Sequence, residues 1–228
     1  MAQEIDCIIG ERSLITGRYE SIDALHYFGK QIEVSEILNK DASFHPFFGM
    51  MREVYKFMGN ELAYMEDWMR EIEKNIFAGR EKDMVFAISA TGRNLLNFRR
   101  IIDPHGRVLE TLARVAKEKF GSEFLKEMEE LMEEWRRLLR ITNNQIDLMI
   151  ELRETNNSLL NIKQNEIIKT LTIFAFMMVP LTLVTQIFSM NTINNPLIGL
   201  PYDFWIITSV MIGTAIAIFG FFKYKKWI

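Results

Sequence analysis

The chain has 228 residues, 49% of them hydrophobic and 25% charged, and its 27 Lys and Arg stand against 30 Asp and Glu. That balance disfavours a basic nucleic-acid binder, and the single cysteine, Cys7, leaves no internal disulfide framework and fits a reducing compartment. The averages conceal a segregation: residues 170–190 and 204–222 carry no charge, and each run approaches the ~20 residues a helix needs to cross ~30 Å of hydrocarbon.

In chain order, residues 1–20 hold the β character. Cys7, Ile8 and Ile9, then Gly10-Glu11-Arg12, then Ser13, Leu14, Ile15 and Thr16 predict a short hairpin. Two strands are marginal alone, so the hairpin must lean on helices or another subunit, or be the remnant of a larger domain. Ser21-Ile22-Asp23 opens a short helix. His45-Pro46 opens a long one to about Phe77, with Phe47, Met51, Tyr55, Met58, Leu62, Met65 and Met69 as its buried stripe. A further helix from about Glu81 to Ala116 is interrupted at Asp103-Pro104-His105-Gly106, where proline lacks a donor and glycine frees the backbone.

Beyond Gly121 and Ser122 the next proline is Pro180. Leu125, Met128, Met132, Trp135, Leu139, Thr142, Ile146 and Met149 alternate in steps of three and four, a heptad seam. One helix over residues 122–188 is predicted, about 100 Å long, with stalk and first span a single element. The expected organisation is a β remnant over 1–20, a cytoplasmic helical domain over 21–121, a stalk over 122–169, a first span over 170–190, an external loop over 191–203, a second span over 204–222 and a basic tail over 223–228. Neither apolar run is N-terminal, so neither is expected to be a cleaved signal peptide.

Lys163 and Lys169 precede the first span, Lys223, Lys225 and Lys226 follow the second, and the loop between lacks Lys and Arg. The positive-inside rule therefore puts both termini in the cytoplasm. Tyr202 and Trp205 at one edge, with Tyr224 and Trp227 at the other, fit interfacial aromatic belts. Along the first span, steps of four and three from Asn161 reach Asn165, Ile168, Thr172, Ala175, Val179, Thr182, Gln186 and Ser189. Amides and hydroxyls recur on one side, and a polar side chain in hydrocarbon must face a partner or water. Interhelical hydrogen bonding is the plain reading; a shared watery lumen is the other, and it requires several chains, because two helices enclose no conduit. No Asp or Glu lies between Glu166 and Asp203, so such a lumen suits an ion that keeps its inner waters, with Ile168, Leu171 and Val179 as apolar constrictions.

The segment Asn165-Glu166-Ile167-Ile168-Lys169-Thr170-Leu171-Thr172-Ile173, then Val179-Pro180-Leu181-Thr182-Leu183, then Ile187-Phe188-Ser189-Met190-Asn191, resembles the CorA family of magnesium and divalent-cation channels. The tail from Phe221 to Ile228 is also similar to that family's basic C-terminus. The resemblance implies a mainly α fold: a helical cytoplasmic domain, a stalk helix continuous with the first span, and a funnel-shaped homopentamer whose first spans line the pore. It further implies a selectivity mouth at Ser189, Met190 and Asn191, with Asn191 binding hydrated metal, and a lining of Asn165, Ile168, Leu171, Thr172, Ala175, Val179 and Thr182. A basic collar of Lys223, Lys225 and Lys226 completes it. Mg2+ is the expected transported ion, with Co2+, Ni2+ or Zn2+ as the other candidates, in an inner or plasma membrane. The expected partners are further copies of the chain, lipid and divalent cations, with no nucleic acid. The family's tyrosine-glycine before Met-Asn is here Phe188-Ser189, so a non-conducting membrane scaffold is the alternative.

The three histidines, His26, His45 and His105, are too scattered for a zinc cluster. Glu123, Glu127, Glu129, Glu130, Glu133 and Glu134 read as a solvated helix face, with Glu133 and Arg137 spaced to pair, or as a lure for cations. No phosphate loop, nucleophile elbow or paired catalytic carboxylates stand out, so neither enzymatic chemistry nor an organic cofactor is expected.

Overall fold

The structure, a computed structural model, describes residues 4–10, 13–18, 23–34, 44–190 and 201–225. The fold is mainly α. Strands β1 (Ile5–Ile9) and β2 (Leu14–Arg18) precede helices α1 (Asp23–Val34), α2 (Phe44–Phe77), α3 (Glu81–Ile102), α4 (His105–Ser189) and α5 (Asp203–Tyr224). Two compact units divide the chain, Met1–Asn157 and Ser158–Ile228.

In the first unit the hairpin forms as expected, antiparallel with Cys7 opposite Thr16 and Ile8 opposite Ile15. Ile5, Cys7 and Ile9 turn to its covered side and β2 packs on α2, so a helix supplies what two strands lack. Burial, and then the neighbouring Asp6, push the Cys7 thiol above its ordinary pKa. Phe28 of α1 lies over Gly49 of α2, within 3.0 Å of where a Cβ would stand.

The hairpin of α2 and α3 turns at Gly79, whose φ of 85° is glycine territory. The Arg80 N–H reaches Asn75 O at 3.1 Å and the Gly79 N–H reaches Ile76 O at 3.1 Å, the paired bonds of a Schellman cap. The predicted α2 stripe is the buried one: Phe47, Tyr55, Leu62 and Met69 are fully covered, with Met51, Met58 and Met65 half-covered between them. The proline-glycine interruption separates α3 from α4 as expected. The break after it, however, falls at Gly121, not at Ala116, with φ 73° and ψ −158°. There Phe120 and Phe124 stack at 5.3 Å and both meet Phe44 edge-on, at 5.8 and 5.6 Å.

Three contacts set the register of α2 on α4: Arg52 with Glu127, Gly59 beneath Leu138, and Gln145 with Leu62. These ascend together, so the two helices run parallel. Trp135 meets Ile102, whereas Met149 and Arg153 meet Gly92, so α3 runs antiparallel to α4. The heptad seam needs correction here. Met128, Thr142 and Met149 are buried as read, but their partners in the core are Phe124, Leu131, Leu138, Gln145 and Leu152. Leu125, Met132, Leu139 and Ile146, one residue further on, are only half-covered. The α2–α3 hairpin approaches α4 from one side of the Met128–Met149 line, and a one-residue step turns a side chain by ~100°.

The expected pairing of Glu133 with Arg137 gives way to a cross-helix contact. Arg52 Nη2 lies 2.8 Å from Glu127 Oε2 and 2.6 Å from Glu130 Oε2. His45 Nε2 stands 3.7 Å from Glu123 Oε1. Glu127 and Glu130 of the acidic run thus have a protein cation in ion-pair contact.

Candidate functional site

The second unit consists of the C-terminal part of α4 with α5. Both helices contain stretches long and apolar enough to cross a membrane, and those stretches are almost wholly uncovered within the chain. Thr185 Oγ1 lies 3.9 Å from Met211 Sδ, and Phe176 shares an apolar cleft with Ala217 and Phe221. The two helices therefore run antiparallel.

Coverage along α4 separates two faces. Ile173, at 7% exposure, is the deepest residue, and Met177, Pro180, Leu181, Val184 and Phe188 are half-covered. Spaced four, three, one, three and four residues apart, they form the face toward α5. Asn165, Ile168, Ala175, Val179, Thr182, Gln186 and Ser189 are exposed, with Val179 at 65% and Leu171 beside them at 62%. Thr172 is half-covered. At 100° per residue, the two sets centre about 180° apart. The polar stripe is thus on the side of α4 turned away from its own chain's second span.

The stripe's hydroxyls are already committed as donors. Thr172 Oγ1 donates to Ile168 O at 2.8 Å, Thr182 Oγ1 reaches Met178 O at 2.5 Å and Val179 O at 3.0 Å, and Ser189 Oγ donates to Thr185 O at 2.8 Å. A hydroxyl carries one proton and two lone pairs, so each of these oxygens faces outward as an acceptor. Asn165 and Gln186 add amide oxygens on the same side.

Of the expected mouth, Ser189 is the last residue of α4 and in helical conformation, and Met190 follows it with its N–H on Ile187 O at 3.4 Å. The left-handed backbone that would penalise serine in the place of glycine is not adopted at Ser189. Asn191 lies outside the described residues, as does Lys226 of the collar. Lys223 lies in the last turn of α5 and Lys225 caps it, its N–H on Phe221 O at 3.0 Å; both are exposed. Among the described residues no three His, Cys, Asp or Glu side chains could hold a metal together.

A second polar centre, in the first unit, went unread in the sequence. The Tyr55 hydroxyl lies 3.2 Å from His105 Nδ1, with the rings stacked at 5.8 Å, and Trp135 Nε1 donates to Ile102 O at 2.8 Å over Gly106. Burial, with Glu134 adding, raises the Tyr55 phenol far above its ordinary range, so it stays protonated. Burial lowers His105, favouring the neutral imidazole, whose tautomer sets which of the two groups donates. Burial also lifts Glu134, a shift that Arg52 and Arg137 oppose and Glu130 reinforces. The only sequence signal was the small residue beside Pro104.

Comparison with known proteins agrees with these elements. The chain is 24% identical over 179 residues to the cobalt/magnesium transport protein CorA of Methanocaldococcus jannaschii, covering 78% of this chain and 56% of that protein. It is 26% identical over 167 residues to the cobalt/magnesium transport protein CorA of Thermotoga maritima, covering 73% and 48%. The chain thus spans about half the length of the curated relatives it matches. The complete structure of the CorA magnesium transporter from M. jannaschii superposes with a TM-score of 0.84 at 20% identity, over 99% of this chain and 76% of that one, a likeness of fold. The CorA-like Mg2+ transporter protein family matches residues 1–225, and with two apolar helices following a helical unit in the same order, the chain belongs to the CorA family.

Proposed function

We propose that the chain is one subunit of a homopentameric membrane channel that passes hydrated divalent cations, Mg2+ first among them and Co2+, Ni2+ or Zn2+ as further candidates. The observation that carries the reading is the acceptor stripe of α4, turned away from α5 with its hydroxyl protons spent on the helix. A magnesium ion releases its inner waters reluctantly, and those waters present protons outward. Rings of oxygen lone pairs from Asn165, Thr172 and Thr182 match that surface, whereas carboxylates would bind the bare ion too tightly for it to leave. No acid stands between Glu166 and Asp203. Ile168, Leu171 and Val179 alternate with the polar rings and close the path by dewetting when the helices draw together. Asn191 with Ser189 and Met190 forms the outer mouth, and Lys223, Lys225 and Lys226 ring the cytoplasmic end. Both termini are cytoplasmic, in a cell membrane. The names of the relatives, cobalt/magnesium transport proteins, support the cargo.

Flux of Mg2+ into proteoliposomes, read by a trapped indicator, tests the reading. The parent protein conducts; Asn165→Leu and Thr182→Leu slow it about tenfold, the rate equivalent of roughly 1.4 kcal/mol of lost solvation in the lumen. A hexaammine complex, which mimics the hydrated ion, blocks it. Cysteines placed at Asn165 and Thr182 react with aqueous reagents. Absence of flux together with an inert Asn191→Ala leaves the non-conducting scaffold as the function.

A further inference from the structure

α4 and α5 leave between them a cleft of about 340 Å3, lined by Phe176 of α4 and by Ala217, Ile218, Phe221 and Phe222 of α5. Every lining group is apolar. The cleft lies on the flank of the helix pair, because Phe176 stands roughly 80° around α4 from the polar stripe at 100° per residue. It lies between the centre of the stripe and the packed seam, beside the stripe's Thr172 edge.

The height of the cleft follows from the antiparallel match. Thr185 is level with Met211, and nine residues earlier Phe176 is level with residues 217–222. Carried on at the same rise, Lys225 falls level with about residue 171, so it stands within ~3 Å of the height of Lys169. Both are also on the flank that holds the cleft. Lys169 precedes Phe176 by seven residues, two helical turns, and so shares its face. Lys225 follows Phe221 by four, and its N–H still bonds Phe221 O at 3.0 Å, so the helical register reaches it. Both lysines are exposed, and the one acid on α4 near them, Glu166, is a further turn from the cleft. An apolar slot thus opens toward two cationic side chains from two different helices, about one to two turns beyond its end.

We propose that this slot binds one anionic glycerophospholipid, with an acyl chain against Phe176, Ala217 and Phe221 and the phosphodiester between Lys169 and Lys225. In a bilayer the slot is at hydrocarbon depth, and long lysine side chains reach the headgroup layer from just below it. A zwitterionic lipid fills the slot equally well but brings its own cation to the two lysines. The site therefore discriminates by headgroup charge. It requires that the two helices span a bilayer and is independent of whether the assembly conducts.

The test is native mass spectrometry of the intact detergent-solubilised assembly, titrated with phosphatidylglycerol or phosphatidylcholine of identical chains. Phosphatidylglycerol is retained in preference. Lys169→Gln and Lys225→Gln each weaken its retention about fivefold, the equivalent of the ~1 kcal/mol a basic residue contributes beside an anionic lipid, and leave phosphatidylcholine unchanged. Ala217→Phe, which fills the slot, reduces retention of both lipids, and Lys74→Gln on α2 changes neither. Equal retention of the two lipids, or phosphatidylglycerol binding indifferent to both lysine substitutions, overturns the proposal. So does an assembly that retains no lipid and falls apart on Ala217→Phe, which would make the slot a contact between copies. Loss of ion flux with lipid selectivity intact would instead overturn the channel reading alone.

Discussion

Gly106 has no room for a side chain: a Cβ there would stand 2.4 Å from Cη2 and Cζ2 of Trp135. The indole is held in place by its own N–H on Ile102 O at 2.8 Å, so it satisfies a carbonyl at the end of α3 and does not move aside without orphaning it. Gly106→Ala is therefore expected to destabilise the chain by about 1–3 kcal/mol, the usual cost of overpacking, read as a lower Tm in thermal unfolding of the solubilised full chain. An unchanged Tm would mean that the ring has somewhere else to go. His105 beside it carries a pH dependence. Burial holds the imidazole below its ordinary 6.5, so on acidification the unfolded chain takes up the proton first. The stability it contributes is complete above pH 6.5 and is lost as pH falls through that value toward the folded one. Glu134, pushed above its ordinary 4.5, acts in the opposite sense, its contribution being present at low pH and lost as pH rises through the folded value. Comparison of the parent with His105→Gln isolates the histidine. Between pH 7 and 5.5 the parent's Tm is expected to fall more than the variant's, and parallel curves would remove His105 as the cause.

The elements differ in how far local pattern determined them. Helix α2 was legible along its main stripe, since period alone finds Phe47, Tyr55, Leu62 and Met69, but Phe48, Met50, Ile72 and Ile76 are buried too, because α2 packs against α1 and α3 as well as α4. The seam of α4 was legible only in part: Met128, Thr142 and Met149 are buried as read, but Gln145 is buried too, and a polar side chain in a core looks like surface in sequence. Hydrophobic spacing chose Leu139 and Ile146, whereas the α2–α3 hairpin covers Leu138 and Gln145. The extension of the first α4 piece to Phe120 was likewise hidden, although the break itself, at Gly121 with φ 73°, falls where the helix over residues 122–188 was expected to begin. The polar stripe of the candidate site was visible from its 4-3 spacing; that it opposes α5 was not, since covalent order leaves open which face a second span covers. Gln145 yields a prediction at this scale. Its Nε2 donates to Leu62 O at 2.9 Å, but Oε1 is buried without a partner. An orphaned acceptor costs about 1–3 kcal/mol, whereas the bond it accompanies contributes about 0.5–1.5 kcal/mol. Gln145→Leu, close in volume, is therefore expected to raise the Tm, with a net gain of about 1 kcal/mol; a lower Tm would show that the bond to Leu62 outweighs the orphan.

For the molecule as a whole, the decisive quantity is the cost of the α4 stripe in the wrong surroundings. Asn165, Thr172, Thr182 and Gln186 face away from α5, the other long apolar helix among the described residues, so a lone chain in a bilayer would present amides to hydrocarbon. The hydroxyls escape most of that penalty by donating to the helix, but the side-chain amides of Asn165 and Gln186 carry two donors and an acceptor that no helix carbonyl absorbs in full. Association that gathers these faces around an axis replaces lipid by water and by neighbouring copies, and interhelical polar contacts add roughly 1 kcal/mol each. Two copies would bury the stripe dry, whereas a ring encloses a lumen. Native mass measurement of the protein in mild detergent is accordingly expected to give five copies of the 26.8 kDa chain. Replacing Gln186 by Leu is expected to leave that number unchanged, since Asn165, Thr172 and Thr182 still bring their polar groups to the axis. A monomer or a dimer would leave the stripe without an axis and would remove the physical basis for a conduit.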